Sequence, residues 1–216
     1  AGALGKDAAQ NVRFSVNLAK YGIYSGQHIS PDVVSEYRRE PLPNFLLAGY
    51  LRLADVFSPG LLDQVGQPFN ESFLLFIKRL NLLWACSLFL GLWLTSQLVF
   101  APLLAVHWLA FAQILAANHF FVSKVITKMN TELIASAIVV WLGVVLLQAS
   151  RTQSLRWLCA AGSVFGLLAL TKSSGAYVAV LVLPLVAVLL SGIGKRFLTL
   201  LLAISIGFFI TVAPWL

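Results

Sequence analysis

Charged residues are scarce in this chain of 216 residues. Lys and Arg number 15 and Asp and Glu number 8, which together amount to 11% of the sequence. Soluble domains carry about 25% charged residues. Hydrophobic residues account for 59% of the chain, and its mean hydropathy is +0.87. Because a soluble core cannot absorb apolar runs of this extent, the composition excludes a soluble globular fold and predicts an all-α, polytopic transmembrane helical bundle.

Cysteine is nearly absent, and the chain has no cluster of basic residues on a single polar element. Cys86 and Cys159 each lie inside an apolar run, and their spacing is not that of metal ligands. Both are interpreted as small apolar side chains, and no disulfide framework is predicted. The scattered Lys and Arg residues give no support to a nucleic-acid partner.

Acidic residues are nearly missing after residue 72, where Glu132 is the only one. The other seven of the eight acids lie in residues 1–72, so the net charge of +7 belongs almost wholly to the apolar remainder. Lys and Arg residues that flank apolar spans are well placed to contact lipid phosphates.

Apolar blocks of membrane-spanning length follow one another from Phe73 to the end of the chain. A helix needs about 20 apolar residues to cross a bilayer core. The interruption from Thr171 to Gly175 divides the longest block into two spans. Residues 73–216 are therefore predicted to form a bundle of about six helices, at approximately 82–100, 103–122, 133–148, 155–170, 176–190 and 197–216.

Residues 1–72 mix charged, polar and aromatic residues with turn-forming Gly and Pro, which predicts an extramembrane segment. Asp7–Lys20 has helical spacing, with Val12, Val16 and Ala19 on one side. Asn44–Phe57 is amphipathic, and its apolar residues are interpreted as a face suited to a membrane surface. These residues are Phe45, Leu46, Leu47, Leu51 and Leu53.

Two further patterns concern packing and orientation. Gly162 and Gly166 are four residues apart within a span, which predicts close helix packing.

Alternating spans give nearly equal basic totals on the two sides of the membrane, so the positive-inside rule leaves the orientation open. One side receives Arg151, Arg156, Lys195 and Arg196, and the other receives residues 1–72 with Lys124, Lys128, Glu132 and Lys172. For the second group, binding of an anionic lipid phosphate and ordinary snorkelling at the interface are both open.

Several segments resemble, in order and spacing, the N-terminal half of the GT-C membrane glycosyltransferases. The sequence is most similar to the aminoarabinose and protein-mannosyl transferase superfamily, whose members use sugars linked to dolichyl or undecaprenyl phosphate. Because the chain opens with Ala1 inside a loop, the resemblance predicts a fragment that lacks the first helix and the C-terminal part. The matching segments are Asp7–Gln10, Asn17–Ser25, Tyr37–Ala48, Asn130–Leu133, Leu168–Gly175 and Pro214–Leu216.

The resemblance implies an inverting transferase that moves a sugar from a polyprenyl-phosphate donor to a hydroxyl of a lipid, glycan or protein. Residues 1–72 would be its first extracytoplasmic loop, with juxtamembrane helices. The protein would lie in a bacterial inner (plasma) membrane, with its active site on the extracytoplasmic side. Gln10 stands where aminoarabinose relatives have Arg, and Arg39-Glu40 replaces their Glu-Lys, so lipid A is not assigned as the acceptor.

The same resemblance assigns roles to individual residues. Asp7 is the candidate general base, which would take the proton of the acceptor hydroxyl. The alternative is a helix N-cap. Arg39, Lys124 and Lys172 are candidates to bind the donor phosphate, since cations stabilise the charge that builds up on it. Arg39 pairing with a neighbouring glutamate and Lys172 snorkelling at a span end are the alternatives.

Glu40 and Glu132 are candidate supporting residues near the site. Some relatives bind a divalent metal ion there through a Glu and a His, and Glu40 with His119 would be the corresponding pair. A structural glutamate and an interfacial histidine are the alternatives, and no cofactor is assigned firmly.

Two other functions remain open on the sequence. A transporter could use the break at Thr171–Gly175 as a midplane site, although such proteins carry a matching break in a second half, which the sequence does not display. A membrane partner without catalytic activity is the third reading.

Overall fold

The computed structural model describes residues 6–36, 40–65, 69, 71–99, 106, 108–109, 112–113, 131–191 and 195–215. Within these ranges the regular structure is entirely helical, which confirms the predicted all-α class. The helices are α1 (Lys6–Tyr21), α2 (Pro41–Phe57), α3 (Glu71–Val99), α4 (Glu132–Thr152), α5 (Leu155–Thr171), α6 (Ser173–Ser191) and α7 (Lys195–Val212), followed by a 3₁₀ turn at Ala213–Trp215.

The described residues fall into two compact units. The first holds those of Ala1–Ala85 and His119–Leu133, and the second holds those of Cys86–Asn118 and Ile134–Leu216. Helix α3 passes from the first unit into the second between Ala85 and Cys86.

Four helices are long and apolar enough to cross a membrane: Glu71–Val99, Glu132–Thr152, Ser173–Leu190 and Arg196–Trp215. Helix α5 is apolar but has only 17 residues. Only 22% of the most apolar 18 residues of Ser173–Leu190 are buried, and only 17% of those of Arg196–Trp215. Apolar helical surface left this open is stable against lipid tails rather than water, which agrees with the membrane character predicted from composition.

Five of the predicted spans correspond to helices, although α5 is shorter than a full span, and the largest difference in bounds is at α3. This helix begins at Glu71, 11 residues before the predicted start at residue 82. The reason is that Lys78 and Arg79 are good helix formers, so the basic step that bounds the apolar run does not end the helix. The span predicted at 103–122 lies almost wholly outside the described residues.

The core of the first unit is a hydrophobic cluster to which α1, α2 and the beginning of α3 all contribute. Val12, Val16 and Ala19 are buried there, as their helical spacing predicts. Leu51 from α2 and Ile77 from α3 are fully buried in the same cluster. The segment predicted to be extramembrane and the first part of α3 therefore share one hydrophobic core.

Helix α2 corrects the prediction that its whole apolar face meets the membrane surface. Leu47 and Leu51 are buried in the core of the first unit, whereas Phe45 and Leu53 are exposed and Leu46 is half-buried. An amphipathic pattern shows that one face is apolar but not which surface covers it, and here the protein core covers Leu47 and Leu51.

In the second unit, α5 and α7 run parallel with their backbones in direct contact. A Cβ built on Gly162 or Gly207 would overlap a backbone carbonyl of the facing helix, that of Ile204 or of Cys159 respectively. One on Gly166 would lie 2.7 Å from Cβ of Thr211. The close packing predicted for Gly162 and Gly166 is confirmed, and the facing glycine is Gly207.

Candidate functional site

Asp7 lies in the first turn of α1, and its side chain is exposed. An N-cap residue precedes the first helical residue, whereas Asp7 is one residue inside the described helix. A carboxylate in this turn still interacts favourably with the positive end of the helix dipole. Asp7 is therefore an accessible acid on a regular helix, although its role as a base stays a prediction.

Phe14, two turns after Asp7, fixes the loop that follows α1. Its ring lies 4.6 Å from the ring of Tyr24, measured between centroids. The ring also covers Gly26, where an added Cβ would come within 2.8 Å of Cδ2 of Phe14 and 2.9 Å of Cγ of Gln10. Only glycine fits that position, so the loop lies directly against the helix that carries Asp7.

Asn17 holds the same loop through hydrogen bonds from its buried side-chain amide. Its Nδ2 donates to the carbonyl oxygens of Ser25, at 2.9 Å, and His28, at 3.1 Å. Its Oδ1 accepts from the backbone N–H of Ser30 at 3.3 Å. An Asn is needed here because one side chain must supply both donors and an acceptor.

The turn after α1 begins at Gly22, which has a φ of +73° and donates its N–H to the carbonyl oxygen of Leu18. This is the αL cap that commonly ends a helix. The segment Asn17–Ser25, which resembles a transferase motif, thus contains a helix end and the amide that holds the following loop.

Tyr24 joins this loop to the start of α2. Its hydroxyl donates to the carbonyl oxygen of Glu40 at 3.2 Å and accepts from Nδ2 of Asn44 at 2.8 Å. Nδ2 of Asn44 also donates to the Glu40 carbonyl at 3.1 Å. Tyr24 and Asn44 are both buried, and the Tyr24 hydroxyl and Nδ2 of Asn44 bond to one another and to the Glu40 carbonyl.

Glu40 occupies the N-cap position of α2 and is half-buried. Its side chain makes no capping hydrogen bond, and Pro41 starts the helix. The Tyr24 and Asn44 bonds hold the Glu40 backbone, which leaves its carboxylate at the positive end of α2. This geometry is compatible with a supporting role for Glu40 in the first unit.

The other predicted site residues belong to different units or lie outside the described residues. Glu132 is the first residue of α4 and is exposed. Lys172 is half-buried in the second unit, as the single extended residue between α5 and α6. Asp7, Glu40 and Glu132 belong to the first unit. Arg39, Lys124 and His119 lie outside the described residues.

Lys172 forms a tight connection between α5 and α6 at the predicted break. Its N–H donates to the carbonyl oxygen of Leu168 at 2.9 Å, and its carbonyl accepts from the N–H of Gly175 at 2.8 Å. A Cβ on Gly175 would come within 2.8 Å of the Leu168 carbonyl oxygen. The Lys172 backbone is therefore fixed at both sides by the helices that it joins.

No group of three His, Cys, Asp or Glu residues within the described ranges is arranged to hold a metal ion. Of the candidate pair, Glu40 is described and His119 is not, so the pair stays a prediction.

Sequence reasoning overlooked Arg13 of α1. Its neighbours Val12 and Phe14 are fully buried, and its Nε is buried without a hydrogen-bond partner among the described atoms. Arg13 follows Asp7 by six residues, which places the two about 120° apart around the helix. A cation between two core positions was the available signal. Nε of Arg13 and Nε1 of Trp84 are the two buried side-chain nitrogens that lack a partner among the described residues.

The pKa values of two groups in the first unit are shifted. A hydrogen bond from the Lys20 ammonium to Asp63, with Nζ and Oδ1 2.9 Å apart, raises the pKa of Lys20. Burial raises the pKa of Tyr50, whose hydroxyl donates to the carbonyl oxygen of Phe76. Both contacts link distant parts of the first unit and have no evident catalytic role.

Comparisons with protein-family models, with curated proteins and with solved structures found no match to this chain.

Proposed function

We propose that the chain is part of an inverting glycosyltransferase that transfers a sugar from a polyprenyl-phosphate donor to a hydroxyl of a lipid, glycan or protein acceptor. The ordered resemblance of its segments to the GT-C superfamily is the main support. The observation from the structure that favours it is the position of Asp7, an exposed carboxylate on a helix held by the Phe14, Asn17 and Tyr24 contacts. A base must be accessible and supported by a rigid element.

In the proposed reaction, the carboxylate of Asp7 takes the proton of the acceptor hydroxyl. The hydroxyl oxygen attacks the anomeric carbon from the face opposite the phosphate and forms the new glycosidic bond. The bond between that carbon and the phosphate oxygen breaks, and the phosphate leaves with both electrons. The transition state resembles an oxocarbenium ion, and inversion follows from attack on the opposite face.

The leaving phosphate accumulates negative charge, which nearby cations stabilise. Arg39, Lys124 and Lys172 are proposed for this role by the resemblance. For Lys172 there is additional support, because its backbone is held by the Leu168 and Gly175 hydrogen bonds. A lysine at an interruption between apolar helices is a functional candidate in a membrane protein. Glu40 and Glu132 are proposed to support the site.

The proposed location is a bacterial inner membrane, with the reaction on the extracytoplasmic face. The partners are the polyprenyl-phosphate sugar, the surrounding lipids and the hydroxyl acceptor. The four apolar helices favour the membrane location.

The experiment is a sugar-transfer assay on the full-length protein reconstituted in proteoliposomes. Undecaprenyl-phosphate and dolichyl-phosphate sugars carrying a radiolabel are offered with a crude lipid and glycan acceptor fraction, and labelled product is separated from donor. Transfer with inversion at the anomeric carbon supports the proposal. Flux of a small solute through the same proteoliposomes without any transfer would favour a transporter instead. Absence of both activities, with no donor binding, would favour a non-catalytic partner.

A further inference from the structure

The second unit has no acidic residue to balance its cations. Residues 86–118 and 134–216 contain five Lys and Arg residues and no Asp or Glu. Lys172 lies between α5 and α6, and the other four cations lie near the opposite ends of these helices. These are Arg151, Arg156, Lys195 and Arg196.

A hydrogen bond joins the start of α7 to the turn between α4 and α5. Nη2 of Arg196, in the first turn of α7, donates to Oε1 of Gln153 at 2.5 Å. Gln153 belongs to the turn between α4 and α5 and has a φ of 52°. Because α5 and α7 are parallel and in contact, Arg156 and Arg196 in their first turns lie at the same end of the unit.

Arg151 extends the basic region toward α3. It lies in the last turn of α4, and its Nη2 donates to the carbonyl oxygen of Leu98 near the end of α3. The side chains of Arg151, Arg156 and Arg196 are all exposed. The guanidinium groups of Arg151 and Arg196 are thus positioned by the fold, and all three side chains remain accessible.

The N-terminal ends of α5 and α7 make the electrostatic potential at this end of the unit more positive. Both helices begin at this end, and their positive dipole ends add to the arginine charges. Ser154, the N-cap residue of α5, makes no side-chain capping hydrogen bond. The negative end of α4 lies beside Arg151 and offsets part of that one charge.

Exposed apolar side chains lie in the same helix turns as Arg156 and Arg196. Leu155 and Trp157 flank Arg156 and are 47% and 39% exposed, and Leu198, two residues after Arg196, is 65% exposed. Free inorganic phosphate would bind the cations and leave the apolar side chains uncovered. An anionic phospholipid matches both features, since its phosphate can meet the arginines while its acyl chains cover the leucines and the Trp157 ring.

We propose that Arg151, Arg156 and Arg196 form a binding site for the headgroup phosphate of an anionic phospholipid in the leaflet at this end of the second unit. Arginine suits this ligand because its guanidinium can donate two parallel hydrogen bonds to phosphate oxygens. Gln153 acts as a positioning residue, since it holds Arg196 beside the turn that carries Arg156. The site is independent of the proposed glycosyl transfer and would exist in a protein of any function.

The test measures binding of phosphatidylglycerol and phosphatidylcholine to the detergent-solubilised full-length protein by native mass spectrometry. The wild type is expected to retain phosphatidylglycerol preferentially. Arg156→Gln and Arg196→Gln should each lower its affinity about fivefold, with a larger loss in the double variant. Lys78→Gln removes the same charge from α3 in the first unit and should leave the affinity unchanged.

A variant of Gln153 distinguishes a site with a defined arrangement of arginines from simple charge attraction. Gln153→Asn keeps the amide and a residue type that tolerates positive φ, but its side chain is too short for the Arg196 bond. It should lower phosphatidylglycerol affinity at unchanged net charge. Equal binding of the two lipids by the wild type, full binding by the double arginine variant, or displacement of lipid by equimolar inorganic phosphate would each overturn the proposal.

Discussion

Gly162 of α5 lies against the backbone of Ile204 in α7, so closely that a single methyl group at Gly162 would overlap the Ile204 carbonyl oxygen. Gly207 makes the reciprocal contact with the carbonyl oxygen of Cys159. Ser163 adds a hydrogen bond from its Oγ to the Gly207 carbonyl at 3.2 Å. In a membrane, where lipid tails are as apolar as the side chains, such close packing is a main source of helix association.

Gly162→Ala and Gly207→Ala should therefore each destabilise the helix pair by about 1–3 kcal/mol, the usual cost of overpacking. Gly143→Ala in α4 is the matched control, because no described atom lies within 4 Å of a Cβ at that position. The measurement is thermal unfolding in detergent. Equal stability of Gly162→Ala and Gly143→Ala would contradict the described α5–α7 contact.

Asn17→Ala should destabilise the first unit by about 1–3 kcal/mol, because the buried carbonyls of Ser25 and His28 and the N–H of Ser30 lose their partner. Limited proteolysis should then cut the loop at residues 22–36 faster. Gln27→Ala is the control, since it removes only an exposed hydrogen bond to Glu36 and should change little. An unaltered cleavage rate in Asn17→Ala would show that the amide does not hold the loop.

Alkaline pH should weaken the first unit. The pKa of Lys20 is raised above the model-compound value of 10.5 by its bond to Asp63, so its contribution is complete below that pH and is lost as pH rises through the folded pKa. Tyr50, buried in its neutral form and with its pKa raised from 10.0, acts in the same direction.

The expected loss from the Lys20–Asp63 pair is at most about 1 kcal/mol, because Asp63 is largely exposed. Chemical denaturation at neutral pH and above pH 10.5 measures it. Asp63→Asn should reduce the alkaline loss, and Tyr50→Phe should reduce what remains. A wild-type stability that rises over this range would refute the assignment.

Local pattern was enough to predict several elements. The spacing of Val12, Val16 and Ala19 predicted α1 and the face that it buries. The polar interruption predicted the junction at Lys172, since Lys172 and the residues around it end an apolar run within one turn. In each case the information lies in consecutive residues, which is why the sequence suffices.

Long-range pairing was not predictable in the same way. The Gly162–Gly166 spacing indicated a close contact but not Gly207 as its partner, because any small-residue face of another span would have been equally suitable. Likewise, the apolar face of α2 was assigned to the membrane, whereas Leu47 and Leu51 pack in the protein core. Periodicity shows which residues share a face, and tertiary contacts decide what covers it.

In the candidate site, too, local sequence indicated some features, and packing determined others. Asn17 and Tyr24 lie in the segment Asn17–Ser25 that resembles a transferase motif, and their hydrogen bonds show what they do in the fold. Arg13 lies outside the matching segments, and its buried Nε depends on how α1 packs. The roles of Asp7, Arg39, Lys124 and Lys172 stay predictions, because they concern chemistry rather than packing.

The most direct test of the proposed function is the initial rate of sugar transfer by the full-length protein carrying Asp7→Asn. This change keeps the size of an exposed side chain, so the variant should fold normally and bind the donor, yet its rate should fall at least about 100-fold, the typical contribution of a general base. Asp32→Asn, which alters another exposed acid of the first unit, should transfer sugar at the wild-type rate. Wild-type transfer by Asp7→Asn would remove Asp7 from the reaction and contradict the central claim.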